Sequence, residues 1–600
     1  MKRHLAILVL FGLLVRALFF VWSRHSDELF LWPVADEATY LADAAPIAHA
    51  PLSMPSYDLP FWQPPGYVFL LAILSSVGMK GTAVIVLQQL VGVISAVLVY
   101  FVATTYFGSR ARTWALVGGL LFSCCPAVLY FETHYLKPTW SIVLVLGILL
   151  LYGRCCGPLG ALFAGCLTGI LCLFEAYYLL FLPPFLVLYF RRHPKHALAY
   201  LCSAMVFITP VTVLNTRYAK RFIPISDNGG INLYVGNNPR WEQTYNILPG
   251  WEWTAMANRH AVNRKTATGF REAASTRFMN DVLAFGFCHP WSLTRILLKK
   301  SLIVFSGPDL IRDDYFFFSE ALNRYSTVFN AALIVLAGIS VPKLAKLRSP
   351  LLIPLVVILP VNVLFFPTTR YRVPALAVAC CSLAACCGHR PSRADVLCGF
   401  LGLLLCIAGS ALARGVVDQR AWKAFRYAQI ANKLVVQGDT TSAGPFFERS
   451  LQEKPTILAL RMYGEYLLDY QSNAYKAVSL FRQAIELDPL YPDPYYDLAR
   501  IAMRDGKNDD AYASFRSYVR QRDKNAYSDS VDPYLLLQAL VFISAHEQAT
   551  GRSDLHAQTA ARAVRLARSV AIDPRKLNPR VRDFLHNAEA RISTAGKEQP

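Results

Sequence analysis

A chain of 600 residues, 54% hydrophobic with a mean hydropathy of +0.33 and a formal charge of +20, is far too apolar for an ordinary soluble enzyme. Its long apolar runs call for transmembrane helices, so the basic excess reads as membrane orientation and lipid-headgroup attraction, not nucleic-acid binding. All fourteen cysteines but Cys288 lie in or beside apolar stretches and none follows Cys406, which leaves neither a disulfide framework nor a C-x-x-C metal site.

Lys2 and Arg3 precede an apolar stretch that resembles a signal peptide. It has no small-residue cleavage site and Arg16 interrupts it, so an uncleaved first helix is expected. Further spans are expected at about 82–106, 113–131, 138–153, 158–174, 176–190, 196–214, 328–342, 350–366, 372–388 and 395–413, which with 4–22 makes about eleven. The apolar stretch 66–79 is short of the roughly 20 residues a crossing needs and reads as a re-entrant or interfacial helix. With the N-terminus inside, this arrangement puts thirteen basic residues in inside loops. Three, Lys137, Arg370 and Arg372, fall in short outside loops. Letting 66–79 cross would invert that bias.

Three regions then lie outside: the loop 23–81, a polar region over 215–327, and everything after 413. In the run D-N-G-G-I-N-L-Y-V-G-N-N-P (227–239), Ile231, Leu233 and Val235 alternate as in a short strand between turns, so a mixed loop region is expected. The apolar stretch 291–305 carries Arg295, Lys299 and Lys300 and reads as an amphipathic helix on the membrane surface. The tail changes character. Ala443, Ala477 and Ala511 recur every 34 residues, as do Phe447, Phe481 and Phe515, and Pro455 with Pro489. Gly438 and Gly506 stand two periods apart. This is the tetratricopeptide signature, an α-solenoid of stacked helix pairs with a concave face. A degenerate fourth unit follows an insertion at 522–532, around Gly551 and Pro574. The whole is an all-α membrane protein, with a membrane domain over 1–415 and a repeat domain over 420–600.

Four places offer chemistry. Asp36 and Glu37, in A-D-E-A-T-Y, either simply begin an interfacial helix over about 37–49, where acids suit the N-terminal dipole, or supply a general base and its support. Neighbours on a helix point about 100° apart, so the pair does not resemble the opposed carboxyls of a glycoside hydrolase. In P-T-T-R-Y-R-V-P (367–374), Arg370, Tyr371 and Arg372 either anchor the interface or hold a lipid phosphate, with Lys299 and Lys300 as possible helpers. Glu132 and His134, in E-T-H-Y-L-K, have the chemistry of metal ligands, but two residues do not make a site. Arg16, inside the first span, requires a partner or a polar cavity. His289, before Pro290, reads as structural.

Taken in order, these pieces resemble the GT-C superfamily of membrane glycosyltransferases, and within it glycosyltransferase family 39, the protein O-mannosyltransferase and aminoarabinose-transferase branch. The pieces are the acidic pair after span one, P-P-G-Y before an apolar helix, F-G-S-R-A-R (107–112), Glu132 before the next span, the Gly/Asn-rich loop, and R-Y-R-V-P before a late span. The resemblance covers about residues 1–415. It implies a polyprenyl-phosphate sugar donor and inverting transfer, at the outer face of a bacterial cytoplasmic membrane, to a protein, lipid or glycan acceptor. Carried over, Asp36 is the base, Glu37 its support, and Arg370 or Arg372 the lipid-phosphate ligand. Lys300 and Tyr371 fall to donor binding and Glu132 to a second-loop site. No cofactor is implied with certainty. A divalent metal remains possible, although the loops lack a clear ligand cluster. The repeats, a feature the branch generally lacks, would bind a protein partner or the acceptor.

Two rivals make different demands. An O-antigen-ligase-like transferase with a lipid-diphosphate donor would depend on large-loop residues such as Arg259 and His260 and tolerate loss of Asp36. A non-enzymatic membrane scaffold would depend on 420–600 alone.

Overall fold

The computed structural model describes the chain outside residues 50–59, 258–266, 309–318, 387–391, 525–531, 570–576 and 596–600. Arg259, His260 and Pro574 therefore lie outside the described residues. Among those described the regular structure is helical, with no strand. The chain divides into two compact units. One comprises residues 1–247 and 271–418, the other 248–270 and 419–600.

Among the described residues of the first unit, five helices are long and apolar enough to cross a membrane: Lys2–Ser26, Thr82–Phe107, Pro194–Ala219, Glu320–Lys346 and Arg393–Val416. A sixth span results if Ser109–Ser123 and Pro126–Glu132, bent by 55° at Cys124–Cys125, count as one. Of the eleven expected spans, five or six among the described residues meet that standard of length and composition. Pro138–Arg154, Pro158–Phe174 and Leu352–Leu364 are apolar but shorter. Helix Lys2–Ser26 shows why the sequence builds a membrane helix here. Leu8, Gly12, Arg16, Phe19 and Ser23 form one helical stripe facing the protein. Leu10, Leu14 and Leu18 on the other side stay more than half exposed, a face suited to lipid. At about 1.5 Å per residue, helix Gly66–Ser76 spans roughly 16 Å, half of what a bilayer core requires.

The run 227–239 is not a strand. Residues Gly229–Gly236 form a helix, and its buried apolar residues are Ile231, Tyr234 and Val235. That is the i, i+3, i+4 spacing of a helix face; Leu233 is not among them. The glycines explain the choice. A Cβ at Gly230 would run into the backbone of Ser275, and one at Gly236 into the Phe365 carbonyl. They are contact points for neighbouring backbone, not turn residues flanking a strand. Helix Pro290–Ile303 forms as expected, yet Lys300 is fully buried rather than lying on a surface.

The second unit consists of helix pairs, Gln419–Val436 with Thr440–Glu453, Ile457–Asp469 with Ala474–Leu487, Asp493–Arg504 with Asn508–Lys524, and Pro533–Ala549 with Ser553–Ser569, followed by Pro579–Ala595. The periodic alanines and phenylalanines are all buried, at 2% exposure or less. The turn inside each pair is made by a residue with positive φ: Gly438 (86°), Ser472 (53°), Gly506 (72°) and Gly551 (73°). Ser472 stands where the 34-residue period calls for glycine. Left-handed backbone is strained for a residue with a Cβ, so Ser472→Gly should stabilise this unit by about 0.5–1 kcal/mol, net of the extra freedom glycine gains when unfolded. Thermal unfolding of the full chain, followed on the repeat unit's transition, checks this. The same unit includes Trp251, which stacks on Tyr491 at 5.0 Å and donates its indole N–H to Asp488 at 2.6 Å.

Candidate functional site

Asp36 opens helix Asp36–His49 and follows Ala35, which holds a left-handed φ of 49°. A non-glycine residue in that conformation is strained, and here it turns the chain so that the first helical side chain points inward. Its partner is Arg370, in the first turn of helix Thr369–Ser382, with Nη1 2.7 Å from Asp36 Oδ2. Gln63 donates to the other carboxylate oxygen at 3.3 Å.

Gln63 is held there by its own segment. Phe61 donates its backbone N–H to Asn215 Oδ1 and accepts from Asp227 N, both at 2.9 Å. Next, P-P-G-Y starts helix Gly66–Ser76 hard against Leu173; a Cβ on Gly66 would lie 2.7 Å from that residue's carbonyl carbon. This explains the glycine of the motif, and it fixes the end of helix Pro158–Phe174, where Glu175 emerges. Glu175 accepts an ion pair from Lys137 at 3.2 Å, both side chains nearly buried. Lys137 itself immediately precedes helix Pro138–Arg154 and lies over the Tyr40 ring, 5.2 Å from its centroid.

Two cations and two carboxylates thus form one cluster. Burial alone would raise the Asp36 carboxyl. The Arg370 guanidinium outweighs it, aided by Lys137 and the Gln63 hydrogen bond, and holds Asp36 below the usual carboxylate range. Asp36 is therefore ionised at neutral pH.

The remaining sequence candidates have other partners. Glu37 is buried, and its charge acts on His134, Tyr67 and Tyr135. His134 lies 3.7 Å from Asp27, and although burial pulls its pKa down, Glu37 and Asp27 raise it above the ordinary histidine value. Glu132 pairs with Arg16 at 2.8 Å inside the protein, which supplies the partner Arg16 requires. Glu132 and His134 are thus turned to different partners, and among the described residues no group of three or more His, Cys, Asp or Glu is placed to hold a metal. Arg372 donates to the Ser306 carbonyl at 2.6 Å. Lys300 donates to Asn237 Oδ1 at 2.8 Å and the Phe365 carbonyl at 3.1 Å, and burial lowers its pKa to about 7. Arg372 thus ties the Arg370 segment to the Ser306 backbone, and Lys300 holds the backbone at Phe365 that leads into it. Tyr371 packs edge-on against Tyr177. Lys299 pairs with Glu242 at 2.5 Å.

Residues 480–513 match a tetratricopeptide repeat. Among curated proteins no sequence matches the chain. Among solved structures the chain is similar to the oligosaccharyltransferase of Archaeoglobus fulgidus in its apo form, with 16% identity over 71% of this chain and 57% of that one and a TM-score of 0.38. The same organism's oligosaccharyltransferase AglB, in complex with an inhibitory peptide and a dolichol-phosphate, gives 16% identity over 71% and 58%, with a TM-score of 0.37. The chain spans a little over half the length of these enzymes, and so distant a likeness says nothing of its activity.

Reasoning from the sequence passed over Lys137 and Glu175. Lys137 was one of three basic residues in short outside loops, and the other two were already candidates. Glu175 had the signal of a lone acid at the end of an apolar span.

Proposed function

We propose that the chain is an integral-membrane glycosyltransferase of the GT-C kind, moving a sugar from a polyprenyl-phosphate donor to an acceptor hydroxyl or phosphate at the extracytoplasmic face, with inversion. The observation that carries this reading is the Asp36–Arg370 pair, a carboxylate and a guanidinium 2.7 Å apart in a cluster of charged side chains within a unit otherwise rich in apolar helices.

The acceptor oxygen attacks the anomeric carbon while the bond from that carbon to the phosphate oxygen breaks, and the electron pair leaves with the phosphate. An acceptor hydroxyl gives its proton to Asp36; an acceptor already ionised is oriented by it. The departing phosphate needs no proton, so one base suffices. Arg370 stabilises the charge that builds up on it through its forked donors. Each time phosphate draws Arg370 away, Asp36 loses part of the charge that depresses its basicity, so donor binding itself strengthens the base. Glu37, with His134 and Asp27, supports the helix that presents Asp36. The repeat unit is read as the docking element for an acceptor protein or a partner in glycan assembly.

The experiment that tests the reading supplies membranes containing the full chain with a radiolabelled polyprenyl-phosphate sugar or a polyprenyl-diphosphate sugar. Transfer from the monophosphate alone is expected. Transfer from the diphosphate alone would replace this reading with the ligase-like one, and transfer from neither would favour a scaffold.

A further inference from the structure

Lys137, Glu175 and Tyr40 are not used by the reaction as described, yet they stand beside the Asp36–Arg370 pair. Lys137 projects from the N-terminal end of helix Pro138–Arg154 and Arg370 from that of helix Thr369–Ser382, so two positive helix ends accompany the two cations. The other basic side chains near the 367–374 segment are committed elsewhere: Arg372 to the Ser306 carbonyl, and Lys300 to the Phe365 carbonyl and the Asn237 side-chain oxygen. Tyr40 is 1% exposed, and its hydroxyl makes no hydrogen bond to any described residue. That hydroxyl lies within electrostatic reach of Asp36, Arg370 and Glu175. A buried O–H without an acceptor, beside two cations, marks a place where an anion's oxygen fits.

We propose that Lys137 and the Tyr40 hydroxyl complete the subsite for the phosphate of the lipid donor, and that Glu175 occupies Lys137 until that phosphate arrives. This rests on the glycosyltransferase reading above and names the residues that bind its donor. The Asp36–Arg370 and Lys137–Glu175 pairs cancel in charge, which lets the cluster persist beside apolar helices before the donor binds. An incoming phosphate competes with Glu175 for the Lys137 ammonium and accepts the Tyr40 hydroxyl proton in a hydrogen bond. The Tyr40 ring keeps the ammonium in place during the exchange through its face.

The opposing roles of Lys137 and Glu175 give variants of opposite sign. Binding of farnesyl phosphate, farnesol and inorganic phosphate to the full chain in detergent would be measured by titration calorimetry, alongside thermal unfolding of each variant. Lys137→Met should weaken farnesyl phosphate binding about tenfold or more and leave farnesol unaffected. Tyr40→Phe should weaken it about threefold to tenfold. Glu175→Gln, which frees Lys137, should tighten it about threefold. Equal affinity in wild type and Lys137→Met would overturn the proposal, as would a loss in Glu175→Gln matching that in Lys137→Met, the mark of a purely structural pair. Inorganic phosphate competing as well as farnesyl phosphate would overturn the assignment to a lipid headgroup. A folded wild-type chain that binds no farnesyl phosphate would remove the donor reading itself, an outcome distinct from any difference among variants.

Discussion

Arg16→Leu is expected to destabilise the membrane unit by about 3–5 kcal/mol, because it leaves the Glu132 carboxylate buried without its countercharge. Arg16 and Glu132 are 2% and 0% exposed at their side chains and 2.8 Å apart. Space for them is made by Gly92, where a Cβ would overlap both the Glu132 carboxylate and the Arg16 guanidinium. Glu132 Oε2 and Arg16 Nε have no further hydrogen-bond partner among the described residues, so the pair is incompletely satisfied and each partner depends on the other. Arg16→Leu combined with Glu132→Leu removes both charges and should recover most of the loss, as replacement of buried ion pairs by apolar residues generally does. Thermal unfolding of the detergent-solubilised full chain across this double-mutant cycle decides the matter. Additive losses would mean that the two side chains do not depend on each other.

Arg370→Met should lower turnover by about a hundredfold to a thousandfold, the usual cost of removing one donor aimed at charge developing in a transition state. It also changes the base. In the wild type the Arg370 guanidinium holds Asp36 below the ordinary carboxylate range, so the acid limb of its activity should lie below that range too. Without the guanidinium, burial is opposed by the smaller contributions of Lys137 and Gln63, and the limb should move up. Stability follows the same sign. A carboxylate depressed in the folded state contributes stability above its unfolded value and loses it as pH falls through the folded one, so the variant should lose less stability on acidification in that low window. A pH–rate profile of the residual activity, set beside acid unfolding midpoints, measures both. An unmoved acid limb would dissociate Arg370 from the base.

The two halves of the chain were unequally legible. In the repeat unit the 34-residue period named the buried alanines and phenylalanines directly, because each unit meets the same neighbour in the same register. Even Ser472, which breaks the glycine pattern, keeps the left-handed turn that the period demands. In the membrane unit hydropathy located the helices but not their lengths. Breaks at Cys124–Cys125 and the short helix Leu352–Leu364 come from local packing and bends that composition does not carry. The strand expected at 231–235 failed because Ile231 and Val235, the ends of the alternation, also stand one helical turn apart and form a helix face with Tyr234, and the contacts that decide it come from Ser275 and Phe365, far along the chain. Asp36 and Arg370 could each be singled out from topology. Their 2.7 Å pairing across 334 residues could not, and neither could the Lys137–Glu175 bridge beside it.

The most direct test of the account is sugar transfer from a radiolabelled polyprenyl-phosphate sugar by membranes holding the wild-type chain or Asp36→Asn at matched protein levels. The account predicts transfer by the wild type and its loss, by about a thousandfold, in the variant, whose amide keeps the shape of Asp36 but accepts no proton and pairs only weakly with Arg370. Equal transfer by both would contradict it.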